Sequence, residues 1–388
     1  MFRRVYLDNS ATTAVDPLVV EAMLPYLTEI YGNASSIHFF GQQARAAVDK
    51  ARHQVAELLN ARPNELVFTS GGTEANNLAV RGFAEANRQH GTHIITSAIE
   101  HSAVKSVCED LEKSGFEVSY LPVYENGLVR VVDVASAIRD DTILITIMTA
   151  NNEIGTIQPV EEIGRLVRNL RTEGRKIRFH TDAVQAAGKI KVDVEAIGCD
   201  LLTISGHKIY APKGVGALYV RRGTRLHPQN IGGRQERGIR GGTESVPNIV
   251  ALGTAAEMAR KDLTANSGQI GKLLEKFESA IGERVPDIIF NGDRDQRIPN
   301  ISNISFRGVE GEGLLINLDM QGIAVSTGSA CSSGSLEPSP VIRALGVSDA
   351  LARGAVRFSF GKSNTLDDVD YVLNSLPHAV ETLRNLAR

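Results

Sequence analysis

Glu65-Leu-Val-Phe-Thr-Ser-Gly-Gly-Thr-Glu-Ala-Asn76 is the stretch on which the fold turns. Glu65–Thr69 is a short apolar run of the kind that forms a buried strand, and Glu74–Gln89 continues as an amphipathic helical stretch. The next apolar run, His93-Ile-Ile-Thr96, reads as a second strand. Strand, helix and strand at this spacing predict a βαβ unit. The pattern recurs outward from there. Glu117-Val-Ser-Tyr-Leu121, Thr142-Ile-Leu-Ile-Thr-Ile147, Lys176-Ile-Arg-Phe-His180, Leu201-Leu-Thr-Ile204 and Val215-Gly-Ala-Leu-Tyr-Val220 all read as buried strands. Gln43–Leu59 and Val160–Thr172 read as helices. The expected architecture is α/β, a largely parallel sheet with helices on both faces and ligand sites in the loops after the carboxyl ends of its strands.

Around Pro247 the pattern changes. Asn248 to about Glu283 reads as one long helix, mildly interrupted at Ser267-Gly268, and shorter strands follow at Asn300–Phe306 and Ala355–Ser359. A closing helix starts near Thr365. The expected division is a large α/β domain over 16–260 and a smaller α+β domain made of 1–15 and 261–388. In it, the short strand Val5–Leu7 returns to the small domain.

The chain has 388 residues, with 42% hydrophobic and 22% charged side chains, a globular balance that suits two domains. Forty-two basic against 45 acidic residues leave a net charge of −3, which argues against nucleic acid and gives no reason for membrane attraction. The N-terminus lacks the apolar stretch of a signal peptide, and no run approaches the ~20 apolar residues of a membrane span. A cytoplasmic location is expected. Three scattered cysteines, Cys108, Cys199 and Cys331, suit neither a disulfide framework nor a zinc site, and no metal is expected.

Four segments carry possible chemistry. In Phe68–Asn76, paired glycines and a helix start offer backbone N–H groups and partial positive charge to a phosphate; the alternative is a plain glycine turn with Thr73 as N-cap. Asp182, in Phe179-His-Thr-Asp-Ala-Val-Gln185, is costly to bury without a helix to cap or a cationic partner, such as a protonated heterocyclic nitrogen. Lys208, in Ser205-Gly-His-Lys-Ile-Tyr-Ala-Pro212, lies just past a strand in an apolar, glycine-rich turn. That setting suits a Schiff-base amine. Lysine, aspartate and a phosphate-binding helix end together suggest pyridoxal phosphate. The fourth segment, Val325–Pro338, surrounds Cys331 with hydroxyl residues and glycines, the setting of an accessible, reactive thiol. Cys108 and Cys199 read as packing residues.

The ordered motifs Tyr6-Leu-Asp-Asn-Ser-Ala-Thr-Thr13, Gly32-Asn-Ala-Ser-Ser36, Thr69-Ser-Gly-Gly-Thr-Glu74, Glu100-His101, Ala150-Asn-Asn-Glu-Ile-Gly155, Thr181-Asp-Ala-Val-Gln185, Ser205-Gly-His-Lys208, Gly328-Ser-Ala-Cys331 and Arg357-Phe-Ser359 span nearly the whole chain. Together they resemble the pyridoxal-phosphate cysteine desulfurases of the nitrogen-fixation and housekeeping iron–sulfur type (NifS- and IscS-like), in the group with an extended, mobile cysteine loop at about 325–338. The resemblance implies an aminotransferase-like fold of type I. It implies that L-cysteine is converted to L-alanine while the sulfur passes to Cys331 as a persulfide. It further implies that Lys208 holds the cofactor and moves the Cα proton, that Asp182 pairs with the pyridinium nitrogen, and that Gln185 bonds the phenolic oxygen. His101 would stack on the ring and handle protons. Gly72, Thr73, Ser205 and His207 would hold the phosphate, joined by Thr243 from the other subunit of a homodimer. Asn152 and Arg357, helped by Asn33, would grip the substrate carboxylate. An iron–sulfur scaffold protein or another sulfur acceptor is the implied partner. Two departures stand out: Ala34 replaces a more familiar proline, and Gly71-Gly72 stands where Gly-Ala or Cys-Gly is common. The chain also ends soon after its last expected helix, without the longer tail of housekeeping members, which leaves the acceptor open.

Overall fold

The structure, a computed structural model, describes residues 3–327 and 337–386. The chain opens on a two-residue strand, β1 (Val5–Tyr6). Seven strands then form the main sheet: β2 (Leu66–Thr69), β3 (His93–Ser97), β4 (Glu117–Leu121), β5 (Thr142–Thr146), β6 (Arg178–Asp182), β7 (Leu201–Ser205) and β8 (Gly216–Val220). Their spatial order is β2-β8-β7-β6-β5-β3-β4. β3 to β7 pair in parallel. β8 is antiparallel to both β7 and β2, so β2 runs in the same direction as β3–β7.

The one reversal has a simple cause. Only about ten residues separate β7 from β8, fewer than the dozen or more that a parallel crossover needs. The chain therefore doubles back. Elsewhere the intervening helices, such as Gly72–Asn87, Ser102–Lys113 and Val160–Thr172, supply the crossovers. β3, β5, β7 and β8 are buried at every residue, as strands covered on both faces should be. From β3 the chain steps outward to β4, returns to β5 beside β3, and then moves the other way. The carboxyl ends of β3 and β5 thus flank a topological switch point, where open α/β sheets bind ligands.

Beyond the main sheet, β9 (Ile288–Phe290), β10 (Ile301–Phe306) and β12 (Ala355–Ser359) make a small antiparallel sheet in the order β12-β10-β9. β11 (Ile323–Ala324) pairs in parallel with β1. Val5 and Leu7 join a second hydrophobic core with Phe277, Phe306, Phe358 and Phe360. Phe277 and Phe358 pack with ring centroids 4.9 Å apart.

The expected long helix is two helices, Val246–Lys261 and Leu263–Arg284. The break falls at Asp262, not at Ser267-Gly268. The Asp262 N–H closes the first helix on the Met258 carbonyl, and its own carbonyl starts the second by accepting from Asn266 N. An exposed helical glycine costs only ~1 kcal/mol, too little to end a helix by itself.

Candidate active site

A cavity of about 310 Å3 opens at the carboxyl edge of the main sheet, beside the switch point. The ends of five strands of the main sheet and one strand of the small sheet furnish it. Gly72, Thr73 and Asn76 come from the helix after β2, and His101 from the helix start after β3. Met148, Ala150 and Asn152 follow β5; Asp182, Val184 and Gln185 end β6; Ser205, His207 and Lys208 follow β7; Arg357 comes from β12. Ser10 and Ala11, from the segment after β1, close the remaining side.

The turn after β2 is shaped for close approach. Gly71, the N-cap of the helix Gly72–Asn87, has φ 153° and ψ −176°, a region essentially closed to other residues. At Gly72 a Cβ would meet Val184 Cγ2 at 3.0 Å and Ser205 Cβ at 3.5 Å. The missing side chain leaves the backbone at the helix start in close contact with Val184 and Ser205, where the positive end of the helix dipole favours an anion.

Asp182 is buried at the end of β6. Its two hydrogen bonds come from neutral donors, Asn76 Nδ2 at 2.6 Å and Val184 N at 2.9 Å. The carboxyl group accepts within the turn after β6 and lines the cavity. Lys208 sends its amine to the carbonyls of Ser10 and, at 2.7 Å, of Ala11. The Ser10 carbonyl also accepts from Gln185 Nε2 at 2.9 Å. The lysine amine and the glutamine amide thus meet at one backbone oxygen.

Charge in the cavity is set by burial. His101 caps the helix Ser102–Lys113, its Nδ1 accepting from Ala103 N at 3.1 Å. Burial and the Lys208 charge pull its imidazole below the ordinary value, against the opposing pull of Asp182. The neutral ring, with Nδ1 occupied as an acceptor, carries its proton on Nε2. Burial, together with the charges of Lys208, Lys213 and Lys189, takes His207 down to about 4. It is neutral at pH 7, with Nδ1 held 3.1 Å from Thr12 Oγ1. Beside His101, Glu100 is fully enclosed. Burial pushes its carboxyl up to about 8, although Ser97 Oγ and Met148 N donate to it at 2.8 and 2.9 Å.

Arg357 is almost wholly buried. It donates through Nη2 to Asp8 at 2.7 Å and through Nη1 to the Asn152 carbonyl at 2.8 Å, and its Nε has no hydrogen-bond partner among the described residues. Arg357 also bridges Ser326 through both backbone groups, at 3.2 and 2.6 Å. Two expected residues lie outside the cavity. Asn33 is exposed, its Oδ1 accepting from Ser35 N in a local turn. Thr243 is exposed on the surface of this chain. Cys331 lies outside the described residues. Cys108 and Cys199 are buried free thiols, and burial raises both, Cys108 to about 12.

Sequence reasoning missed several members of this site. Ser10 lay in a quoted motif, but its role rests on a backbone oxygen, which no side-chain pattern reveals. Asn76 falls four residues after Gly72 and so faces the same side of its helix. That spacing was the available signal. Glu100 drew attention only as the neighbour of His101.

The residues fit pyridoxal phosphate. Among the described residues, Ser10 Oγ and Asn76 Oδ1 are buried at the cavity without a hydrogen-bond partner, and the buried Asp182 carboxylate, held there by neutral donors, suits a cation. The glycine-lined helix start suits an anion on the opposite side. Comparison with known proteins agrees. The family model for class-V aminotransferases matches residues 5–372. The chain is 48% identical over 387 residues to a cysteine desulfurase IscS of Dictyoglomus turgidum, covering 100% of this chain and 97% of the relative. It is 50% identical over 385 residues to a cysteine desulfurase IscS of Methanosarcina thermophila, covering 99% and 94%. Among solved structures, a NifS-like protein superposes with TM-score 0.91 at 37% identity, covering 98% of this chain and 100% of that one. SspA in complex with cysteine superposes with TM-score 0.81 at 38% identity, covering 93% and 99%. Members of this family use pyridoxal phosphate, and the chain belongs to it: it is a class-V aminotransferase-family enzyme with cysteine desulfurases as its relatives.

Proposed function

We propose that this enzyme is a cysteine desulfurase that converts L-cysteine to L-alanine and takes the sulfur onto Cys331 as a persulfide. The sulfur then goes to iron–sulfur cluster assembly or another thio-cofactor. The observation that carries the reading is the meeting of Lys208, Asp182, Gln185, His101 and a glycine-lined helix start around one cavity that also holds a buried arginine.

Pyridoxal phosphate, when bound, supplies an electron-withdrawing ring that acidifies the substrate Cα. Lys208 would hold it, and its Nζ would accept the Cα proton. Asp182 would hold the protonated ring nitrogen, because a buried carboxylate is satisfied best by a cation. Thr73, Ser205, neutral His207 and the N–H groups at Gly72 and Thr73 would hold the phosphate. Gln185 would donate through Nε2 to the phenolic oxygen. Arg357 and Asn152 orient the substrate carboxylate, and His101 delivers hydrogen-bond or proton contacts at Nε2. The Cys331 thiolate attacks the substrate sulfur; the S–S bond forms as Cβ–S breaks, and the Cβ electron pair takes up a proton. Enzyme thiol and L-cysteine thus become enzyme persulfide and L-alanine.

A homodimer in the cytoplasm is part of the proposal. The exposed side chains of Tyr31, Ile37, Phe39 and Phe40 form an apolar surface that a second copy would cover. No helix of the described residues is long and apolar enough to cross a membrane. The direct test supplies purified protein with L-cysteine and a reductant and measures sulfide and alanine. Equal amounts of both are expected, and Lys208→Ala should yield neither. Absence of alanine from the parent enzyme overturns the reading.

A further inference from the structure

Lys189 has no part in the roles assigned above, yet its amine donates to Gln185 Oε1 at 2.6 Å. Four residues separate the two, and the turn after β6 is closed by hydrogen bonds from Ala187 N to Ala183 O and Ile190 N to Ala186 O. Their side chains therefore share one face. On its other side, the Gln185 amide donates through Nε2 to the Ser10 carbonyl at 2.9 Å.

A primary amide is nearly symmetric in shape but opposite in hydrogen bonding at its two ends. If Gln185 were flipped, its NH2 would face the Lys189 amine and its oxygen would face the Ser10 carbonyl, leaving two oxygens opposed without a proton. Only one orientation satisfies both neighbours. In it the donor end lies on the side of Ser10 and Lys208, and the acceptor end is taken by Lys189.

We propose that Lys189 is a positioning residue that fixes the Gln185 amide so that Nε2–H, and not Oε1, is presented to the phenolic oxygen of the cofactor. The proposal rests on the reading of the cavity as a pyridoxal-phosphate site. Lys189 itself lines a neighbouring cavity of about 420 Å3 that shares Lys208 with the first, so it acts from behind the site and not within it. Burial and the charges of Lys208 and Arg357 hold its amine well below the ordinary lysine value. That burden makes the short bond to Gln185 its main compensation.

The experiment follows the visible absorption of the lysine-bound cofactor across pH in the holoenzyme, without substrate. A donor to the phenolic oxygen favours its negative form and so lowers the pH at which the linking nitrogen loses its proton. Gln185→Ala and Lys189→Met should each raise the midpoint, by about one unit for full loss of a hydrogen bond to a charged group. Lys189→Arg, which keeps a donor, should restore the parent midpoint, and Lys189→Met should add nothing in the Gln185→Ala background. A shifted midpoint in Gln185→Ala with an unshifted one in Lys189→Met overturns the positioning role. No lysine-bound cofactor in the parent overturns the site reading instead. Should Lys189→Met not accumulate folded, Lys189→Ala takes its place under the same outcomes.

Discussion

At the scale of single residues, burial separates the three cysteines. Cys108 and Cys199 are enclosed, and burial lifts both thiols, so the thiolate needed for attack is scarce at neutral pH. Cys108→Ser and Cys199→Ser are expected to keep nearly full alanine production. Cys331→Ser is expected to bind L-cysteine with the usual spectral change yet form neither persulfide nor alanine in catalytic amounts. Turnover by Cys331→Ser at the parent rate would place the nucleophile elsewhere. For Arg357→Ala, loss of a charge-assisted contact worth ~1.5–3 kcal/mol should raise KM about tenfold or more. Because Arg357 also pairs with Asp8, Arg357→Lys should recover stability before it recovers KM; unaltered KM in the alanine variant removes Arg357 from the substrate site. Glu100 gives a pH test. Its folded-state pKa, about 8, lies above its ordinary value, so its stabilisation is complete in acid and is lost as pH rises through that value. Between pH 5 and pH 9 the parent Tm should therefore fall more steeply than that of Glu100→Gln. Parallel melting curves would show that the carboxyl ionises freely.

At the scale of elements, the strand-to-helix turn at Gly71-Gly72 couples fold to site. Gly71 has empty space around its missing Cβ but a backbone conformation other residues rarely adopt, whereas Gly72 faces Val184 and Ser205 at close range. Gly71→Ala should therefore cost ~1–3 kcal/mol of stability through strain alone, measured by urea unfolding, and should weaken cofactor retention by turning the helix N–H groups away. Unchanged stability would mean that the turn can relax. The long helical stretch teaches the opposite lesson. A glycine at 268 suggested the interruption, but the break lies at Asp262, where backbone groups of both helices are satisfied at one residue.

At the scale of the whole molecule, the exposed apolar surface around residues 31–40 bears on the proposed dimer. Ile37 is 91% exposed and Tyr31 70%, with the Tyr31 and Phe40 rings stacked at 5.8 Å. Sedimentation should give twice the chain mass. Ile37→Asp with Phe39→Asp should give monomers that lose cofactor faster, as Thr243→Ala should in the dimer. If the monomeric variant keeps its cofactor as tightly as the parent, no residue of a second copy supports the phosphate.

The sequence by itself determined the local elements: seven apolar runs, the helices between them, and the residue types at each strand end; the run Glu117–Leu121, expected buried, is half-exposed because β4 lies at the sheet edge. Those depend on periodicity and turn chemistry within a few residues, which is why Lys208, Asp182 and Gly72 were legible. Only the tertiary structure decided which backbone oxygen receives the lysine, because Ser10 lies 198 residues from Lys208 and 175 from Gln185. It also decided that Asn76 holds Asp182 across 106 residues and that Arg357 reaches Asp8 across 349. It left Asn33 in an exposed turn outside the cavity, its Oδ1 accepting from Ser35 N. Such contacts arise from the path of the chain through the sheet, and hydrophobic periodicity carries no record of that path.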